Sequence, residues 1–329
     1  MIVYFITALV ISFAATALIL RRLIPILKSK KMGQKILDIG PRWHKSKEGT
    51  PTMGGISFIV AIIAVCAAHL IYGAVTHRND NLAFAITTLI FALANGSIGI
   101  IDDRTKFAKG ENEGLLSWQK YLLQLIVCIA YLFALSAFDL ISTSLYIPFV
   151  KTNVDLGVFY YPIMIILITG VVNSVNLTDG IDGLASSETA VVAAFFSAVG
   201  IFLGSYTLSS LSAALLGGCL GFLVYNFYPA RVFMGDTGSL FLGAMVVGLS
   251  LMSGNPLIII VVGIMYICES LSDIIQVAYF KLTHGKRIFK MAPIHHHFEK
   301  CGWSEIKIVT VFSAVTLAAS VLSYIFDIL

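Results

Sequence analysis

Ten stretches of predominantly apolar residues, most close to twenty long, follow one another along this 329-residue chain. In hydrocarbon no water is present to satisfy backbone N–H and C=O groups, and each unpaired one costs several kcal/mol. A helix satisfies them internally, and about 20 apolar residues in a helix cross the roughly 30 Å core of a bilayer. The stretches lie at about 2–20, 54–75, 82–101, 119–138, 158–175, 184–203, 208–228, 238–253, 256–280 and 304–326. Only 12% of the residues are charged, where a soluble domain has about a quarter. The expected fold is therefore an all-α polytopic membrane protein of about ten transmembrane helices, forming a single integral membrane domain over residues 1–329. The eighth stretch is short and ends at Gly254-Asn255-Pro256. The ninth carries Glu269, Ser270, Ser272, Asp273 and Gln276 on one side and is expected to be bent or broken at those residues.

Basic residues set the expected orientation. The loops after the odd-numbered stretches carry 18 lysines and arginines, and those after the even-numbered ones carry 2. The positive-inside rule then puts the odd loops in the cytoplasm and both termini outside. The first stretch has no basic residue before it and Arg21-Arg22 after it, which fits a retained helix better than a cleaved signal peptide. The longest outside loop, 139–160, holds two short runs, Leu145–Val150 and Val154–Tyr160, that can pair as a hairpin around Lys151-Thr152-Asn153. The five cysteines contain no CxxC pair and mostly sit in apolar runs, so buried small hydrophobes are expected. The net charge is +4, its placement along the chain says more than its size, and no nucleic-acid partner is expected.

The loop Asn176-Leu177-Thr178-Asp179-Gly180-Ile181-Asp182-Gly183 interrupts two of the apolar runs with an amide, a hydroxyl and two carboxylates. Its glycines suit a tight turn or a close approach to a ligand. Other polar clusters fall on the same expected side: Lys45, Lys47 and Thr52; Asp102-Asp103 and Lys106; Lys120; Asn226; Phe233-Met234-Gly235-Asp236; and His295-His296-His297. Carboxylates that can hold Mg²⁺, lysines that offset phosphate charge and an aromatic ring that can stack on a base are the inventory of a phosphoryl-transfer site.

Plainer readings stand beside these. Asp102-Asp103 can mark a helix end, although two carboxylates there would oppose the dipole and repel each other. Asp236 can cap the eighth helix, a role compatible with metal binding. Three consecutive histidines point in different directions on a helix or strand, so they cannot all grip one ion. One or two of them suit donation to phosphate or proton transfer, or the run is a solvated loop. Lys45 and Lys47 sit in a loop already rich in positive charge, most of which topology and anionic lipid would explain.

Taken together, these motifs resemble the polyprenyl-phosphate N-acetylhexosamine-1-phosphate transferases. The supporting residues are Lys47-x-Gly49-Thr50-Pro51-Thr52-Met53-Gly54-Gly55, Asp102-Asp103-x-x-Lys106, Asn176 through Ala185, Phe233-Met234-Gly235-Asp236-Thr237-Gly238-Ser239, and Ala292-Pro293-Ile294-His295-His296-His297-Phe298-Glu299. The uninterrupted histidine run looks like the muramoyl-pentapeptide branch. The resemblance implies UDP-N-acetylmuramoyl-pentapeptide and undecaprenyl phosphate as substrates, UMP and a lipid-linked sugar as products, Mg²⁺ as cofactor and a homodimer.

It also implies roles. Asp236 would bind the metal, Asp102 would act as base, Asp103 would assist with charge or metal, and His295 would contact phosphate. Lys47, Asp179, Asp182, Asn226 and Phe233 would line the nucleoside pocket, with Asn176, Gly235 and Thr52 near ribose or phosphates. Lys106, Lys120, His296 and His297 are further expected substrate contacts. Direct transfer and a phospho-aspartyl intermediate both remain open. The rival class is a transporter or flippase, which would place ionisable groups near the midplane on broken helices. Glu269 and Asp273 are the residues that fit it.

Overall fold

The computed structural model describes residues 1–30, 47–109 and 114–328, so Lys45 lies outside the described residues. Twelve helices are present among them: α1 (Ile2–Ser29), α2 (Gly55–Val75), α3 (Leu82–Lys109), α4 (Ser117–Ala137), α5 (Tyr160–Thr178), α6 (Leu184–Phe202), α7 (Tyr206–Asn226), α8 (Gly235–Met252), α9 (Ile258–Val262), α10 (Ile264–Leu282), α11 (Ile294–Lys300) and α12 (Glu305–Ser323). Nine of the described helices are long and apolar enough to cross a membrane. The ninth expected stretch is broken at Gly263 into α9 and α10, and α10 carries the polar residues that weaken its apolar signal. The chain is thus an all-α polytopic membrane protein.

The predicted hairpin exists, with its turn placed earlier than expected. Strands β1 (Ser144–Ile147) and β2 (Thr152–Asp155) pair antiparallel, Ile147 opposite Thr152. The turn falls on Pro148–Lys151 because proline cannot continue the ladder, and Phe149 and Lys151 take positive φ there. Phe149 N donates to Asp327 Oδ1, which ties the hairpin to the end of the chain.

Helices α7 and α8 form the centre. Their apolar windows are 78% and 83% buried, against 17% for α1. Without a hydrophobic drive between helices in lipid, close backbone approach through small residues supplies the packing. Gly217 and Gly221 on α7 face the carbonyls of Leu9 and Phe13 on α1, a spacing of four that stacks two such approaches on one face. Gly99 on α3 performs the same service at the site end of α8, where a Cβ would lie 2.5 Å from Thr237 N.

That last contact yields a prediction. Gly99→Ala overpacks the α3–α8 seam and costs about 1–3 kcal/mol, a melting point lower by roughly 2–4 °C in detergent. Gly170→Ala on α5, where a Cβ meets nothing within 4 Å, leaves the melting point unchanged or raises it.

Candidate functional site

Four helix ends meet at one end of the bundle. Asp102, Asp103 and Lys106 lie in the closing turns of α3, and Asn176 in the last turn of α5. Lys120 and Asp236 lie in the first turns of α4 and α8. Carboxylate oxygens of Asp102, Asp103 and Asp236 all fall within 4.8 Å of one another. At that separation each like-charged pair repels by about 3 kcal/mol at an effective dielectric near 20, so the cluster requires cations.

Lysines provide them. Lys106 Nζ sits 2.8 Å from Asp102 Oδ2, 3.8 Å from Asp103 Oδ1 and 2.8 Å from Asp236 Oδ2. Lys120 Nζ donates to the same Asp236 oxygen at 2.8 Å and to Asn176 Oδ1 at 3.2 Å. Asn176 Nδ2 donates to Asp236 Oδ1 at 2.9 Å and to Ser239 Oγ at 2.7 Å. An ammonium already held by three carboxylates shows that the basin accepts a cation, and its hard oxygen donors suit Mg²⁺.

Asp103 has a second task. Its Oδ1 accepts from Asp236 N at 3.2 Å, and its Oδ2 accepts from Thr237 N at 3.0 Å and Thr237 Oγ1 at 2.7 Å. These donors open α8, so Asp103 caps that helix from outside and complements its dipole. The sequence reading offered Asp236 as the cap. Instead the N-cap position is Met234, without a side-chain bond, and Asp236 is freed to face the basin. Gly235 takes φ 71°, and a side chain there would meet Asp103 Oδ2 at 2.5 Å and Thr52 Oγ1 at 2.8 Å, which places Thr52 beside the cap. The expectation that Asp102-Asp103 end their helix is corrected: α3 runs on to Lys109, which puts Lys106 one turn beyond the pair.

A second cluster gathers the expected nucleoside residues. Lys47 Nζ lies 2.7 Å from Asp182 Oδ1 and 2.6 Å from Glu305 Oε2, with the Tyr228 ring 6.0 Å away. Asp182 is buried, and its Oδ2 accepts from Ala230 N at 2.8 Å. Asn226 is buried and donates to Val232 O at 3.0 Å, so it holds the 227–234 loop in shape. Phe233 is anchored by its backbone: its N–H donates to Pro51 O, and its C=O accepts from Gly54 N. Its ring remains half-exposed. Asp179 stands between the clusters. Burial, then the negative fields of Asp236, Asp103 and Asp182, hold its carboxyl well above the usual carboxylate range, with Lys106 opposing.

The three histidines separate. His295 is buried with Nδ1 3.0 Å from Glu269 Oε2. His296 Nδ1 lies 2.6 Å from Glu299 Oε2. His297 Nδ1 accepts from Lys290 N at 3.1 Å, and its ring packs against Phe289. The last is committed to the segment before α11, apart from His295 and His296.

Sequence reasoning gave no role to Glu305, Thr237, Ser239 or the Leu115 N–H, which donates to Asp102 Oδ1 at 2.8 Å. Glu305 follows the N-cap Ser304 of α12, and that context signals capping alone. Its bond to the Asp182 N–H at 2.9 Å spans more than a hundred residues and leaves no local trace.

Comparison with known proteins points the same way. Residues 84–254 match the model for glycosyl transferase family 4, and residues 47–59 match phospho-N-acetylmuramoyl-pentapeptide-transferase signature 1. A phospho-N-acetylmuramoyl-pentapeptide-transferase of Clostridium botulinum (strain Alaska E43 / Type E3) is 46% identical over 319 residues, covering 97% of this chain and 95% of the relative. Proteins of the same name from Clostridium acetobutylicum and Thermoanaerobacter sp. (strain X514) are 48% and 44% identical. The first covers 92% of each chain, and the second covers 97% of this chain and 96% of the relative.

Two stability experiments test this geometry. Asp103→Ala removes the cap of α8 and costs about 1–2 kcal/mol, read as a lower melting point in metal-free detergent solution. For Asp179 the raised carboxyl means that the folded protein binds the extra proton more tightly than the unfolded one. Stability therefore falls as pH rises above the usual carboxylate range toward the raised value. Asp179→Asn, melted with EDTA present, flattens that fall.

Proposed function

The chain belongs to the phospho-N-acetylmuramoyl-pentapeptide-transferase family and transfers phospho-MurNAc-pentapeptide to polyprenyl phosphate, making lipid I; from that premise we propose how its residues carry the reaction. The donor is UDP-MurNAc-pentapeptide, the acceptor is undecaprenyl phosphate, and the site opens on the cytoplasmic side of the bacterial inner membrane. One substrate is too apolar to leave the bilayer and the other too charged to enter it, so only a basin where helices end serves both. The observation that carries this reading is the meeting of Asp102, Asp103, Asp236, Lys106, Lys120 and Asn176 at one end of the bundle.

The transfer is direct. A phosphate oxygen of the lipid attacks the β-phosphorus of the nucleotide-sugar and forms the new P–O bond. The bond from that phosphorus to the bridging oxygen breaks, and UMP leaves with that oxygen. Asp102 keeps the attacking phosphate unprotonated, while Lys106 and Lys120 offset charge on the diphosphate. Asp236 would be the principal ligand of Mg²⁺, with Asp102 beside it. The bound ion supplies charge neutralisation at the diphosphate oxygens. Asp103 acts mainly by fixing the start of α8, and so the position of Asp236. His295 and His296 bear on the phosphates. Lys47, Asp182 and the Phe233 ring form the nucleoside end, where the ring stacks on uracil.

Radiolabelled UDP-sugar incubated with lipid phosphate and purified protein gives a labelled sugar-lipid in Mg²⁺ and none in EDTA. Asp236→Asn lowers turnover at least about 10³-fold, a size expected when a preorganised electrostatic group is lost. Retention of most activity would remove Asp236 as the principal ligand. Phe233→Ala weakens UDP-sugar binding about 10-fold or more, a base-stacking loss of roughly 1–3 kcal/mol, and leaves lipid-phosphate binding unchanged. Release of UMP in a single turnover without lipid acceptor would replace direct transfer by a phospho-enzyme path.

A further inference from the structure

We infer that Glu269 is a positioning residue for the transfer: from α10 it locks the His295 ring so that Nε2 bears on the turn at Gly180, and position 180 is glycine because the ring fills the space of a side chain. The inference rests on the reading of His295 as a phosphate contact and adds the residues that aim it.

Glu269 and His295 are 0% and 1% exposed. A carboxylate so deeply buried is costly unless paired, and here Oε2 meets His295 twice. It lies 3.0 Å from Nδ1 and 3.4 Å from the backbone N of the same residue. The two contacts fix both the ring plane and the chain at the start of α11. With Nδ1 facing a carboxylate, Nδ1 carries the proton, and the chemistry of the ring passes to Nε2. The carboxylate–imidazole pairing thereby selects the tautomer as well as the direction.

Nε2 is buried and has no hydrogen-bond partner among the described residues. An unpaired buried group of this kind costs about 1–3 kcal/mol, a cost that function explains better than folding does. It points at Gly180. The three atoms nearest to a Cβ built on Gly180 all belong to the His295 ring, with Cε1 at 2.5 Å and Nε2 closer still. Gly180 is exposed and does not take a positive φ, so the backbone does not demand glycine here and the ring does. Asn176, which binds Asp236, lies four residues earlier in the last turn of α5. Glu269, His295 and Gly180 therefore form a buttress behind the basin, outside the carboxylate cluster itself.

The test is a pair of mutant cycles on the purified full chain with both substrates and Mg²⁺. Glu269→Gln lowers kcat about 10- to 100-fold, the loss that follows misplacement of a reacting group by about 1 Å. The KM for the UDP-sugar stays within about threefold. Gly180→Ala does the same by pushing the ring from the other side. In a His295→Ala background neither substitution lowers kcat further, because each acts only through that ring. The inference is overturned if Glu269→Gln or Gly180→Ala turns over within twofold of the parent. It is equally overturned if either loss persists in full when His295 is already alanine. Melting curves show whether each variant is folded. Should Glu269→Gln fail to fold, the Gly180→Ala cycle decides alone, since at that exposed position the first atoms an added methyl meets are those of the ring. A His295→Ala protein as fast as the parent would instead defeat the role proposed for His295, a result separable from both cycles.

Discussion

Carboxylates cannot gather at the edge of hydrocarbon unless something positive or donating is arranged for them, and the arrangement here runs through Asp103. Its two oxygens take the first N–H groups of α8 and the hydroxyl of Thr237. One buried anion thus satisfies donors that would otherwise be orphaned, and it orients the most enclosed helix of the bundle. Asp236, on the first turn of that helix, is delivered into the basin as a result. Lys106, a turn beyond Asp102 on the same face of α3, closes the charge balance from behind.

The site is therefore made by helix packing more than by loops. Gly99 lets α3 lie against the backbone of α8. Asn176 joins α5 to Asp236, and Lys120 joins α4 to both. Each of these side chains sits on a regular helix whose other end is committed to lipid or to a neighbouring helix. Such a frame holds charged groups more precisely than loops would, which is what preorganised electrostatics requires. The Lys47–Asp182–Glu305 cluster differs: it ties the segment before α2 to the start of α12.

Much of this was legible in the amino-acid order. Apolar length alone located the spans, but the break in the ninth falls at Gly263, ahead of the polar residues 269–276 where it was expected, and α10 runs unbroken through them. Polar clusters at span ends identified Asp102, Asp103, Lys106, Lys120, Asn176 and Asp236 as a group. The assignments of Asp103 and Asp236 within the group were not legible, because a cap supplied from another helix leaves no capping motif beside the helix it serves. Glu305 escaped for a related reason. Its local surroundings are those of an ordinary helix start, and its partners are distant in the chain. The histidine run was legible as three diverging side chains, but Glu269, Glu299 and the Lys290 N–H as their separate destinations were not.

The burial of α8 has one more consequence. The apolar windows of α1 and α4 are 17% and 28% buried within the protein, and that of α8 is 83% buried. A bilayer that is thicker or thinner than the protein prefers can be met by tilting and sliding at the rim, at a cost of a fraction of a kcal/mol per Å. The central helix and the residues at its head are shielded from that adjustment. The chemistry is thereby insulated from the thickness of the membrane that hosts it, while the acceptor still arrives from that membrane.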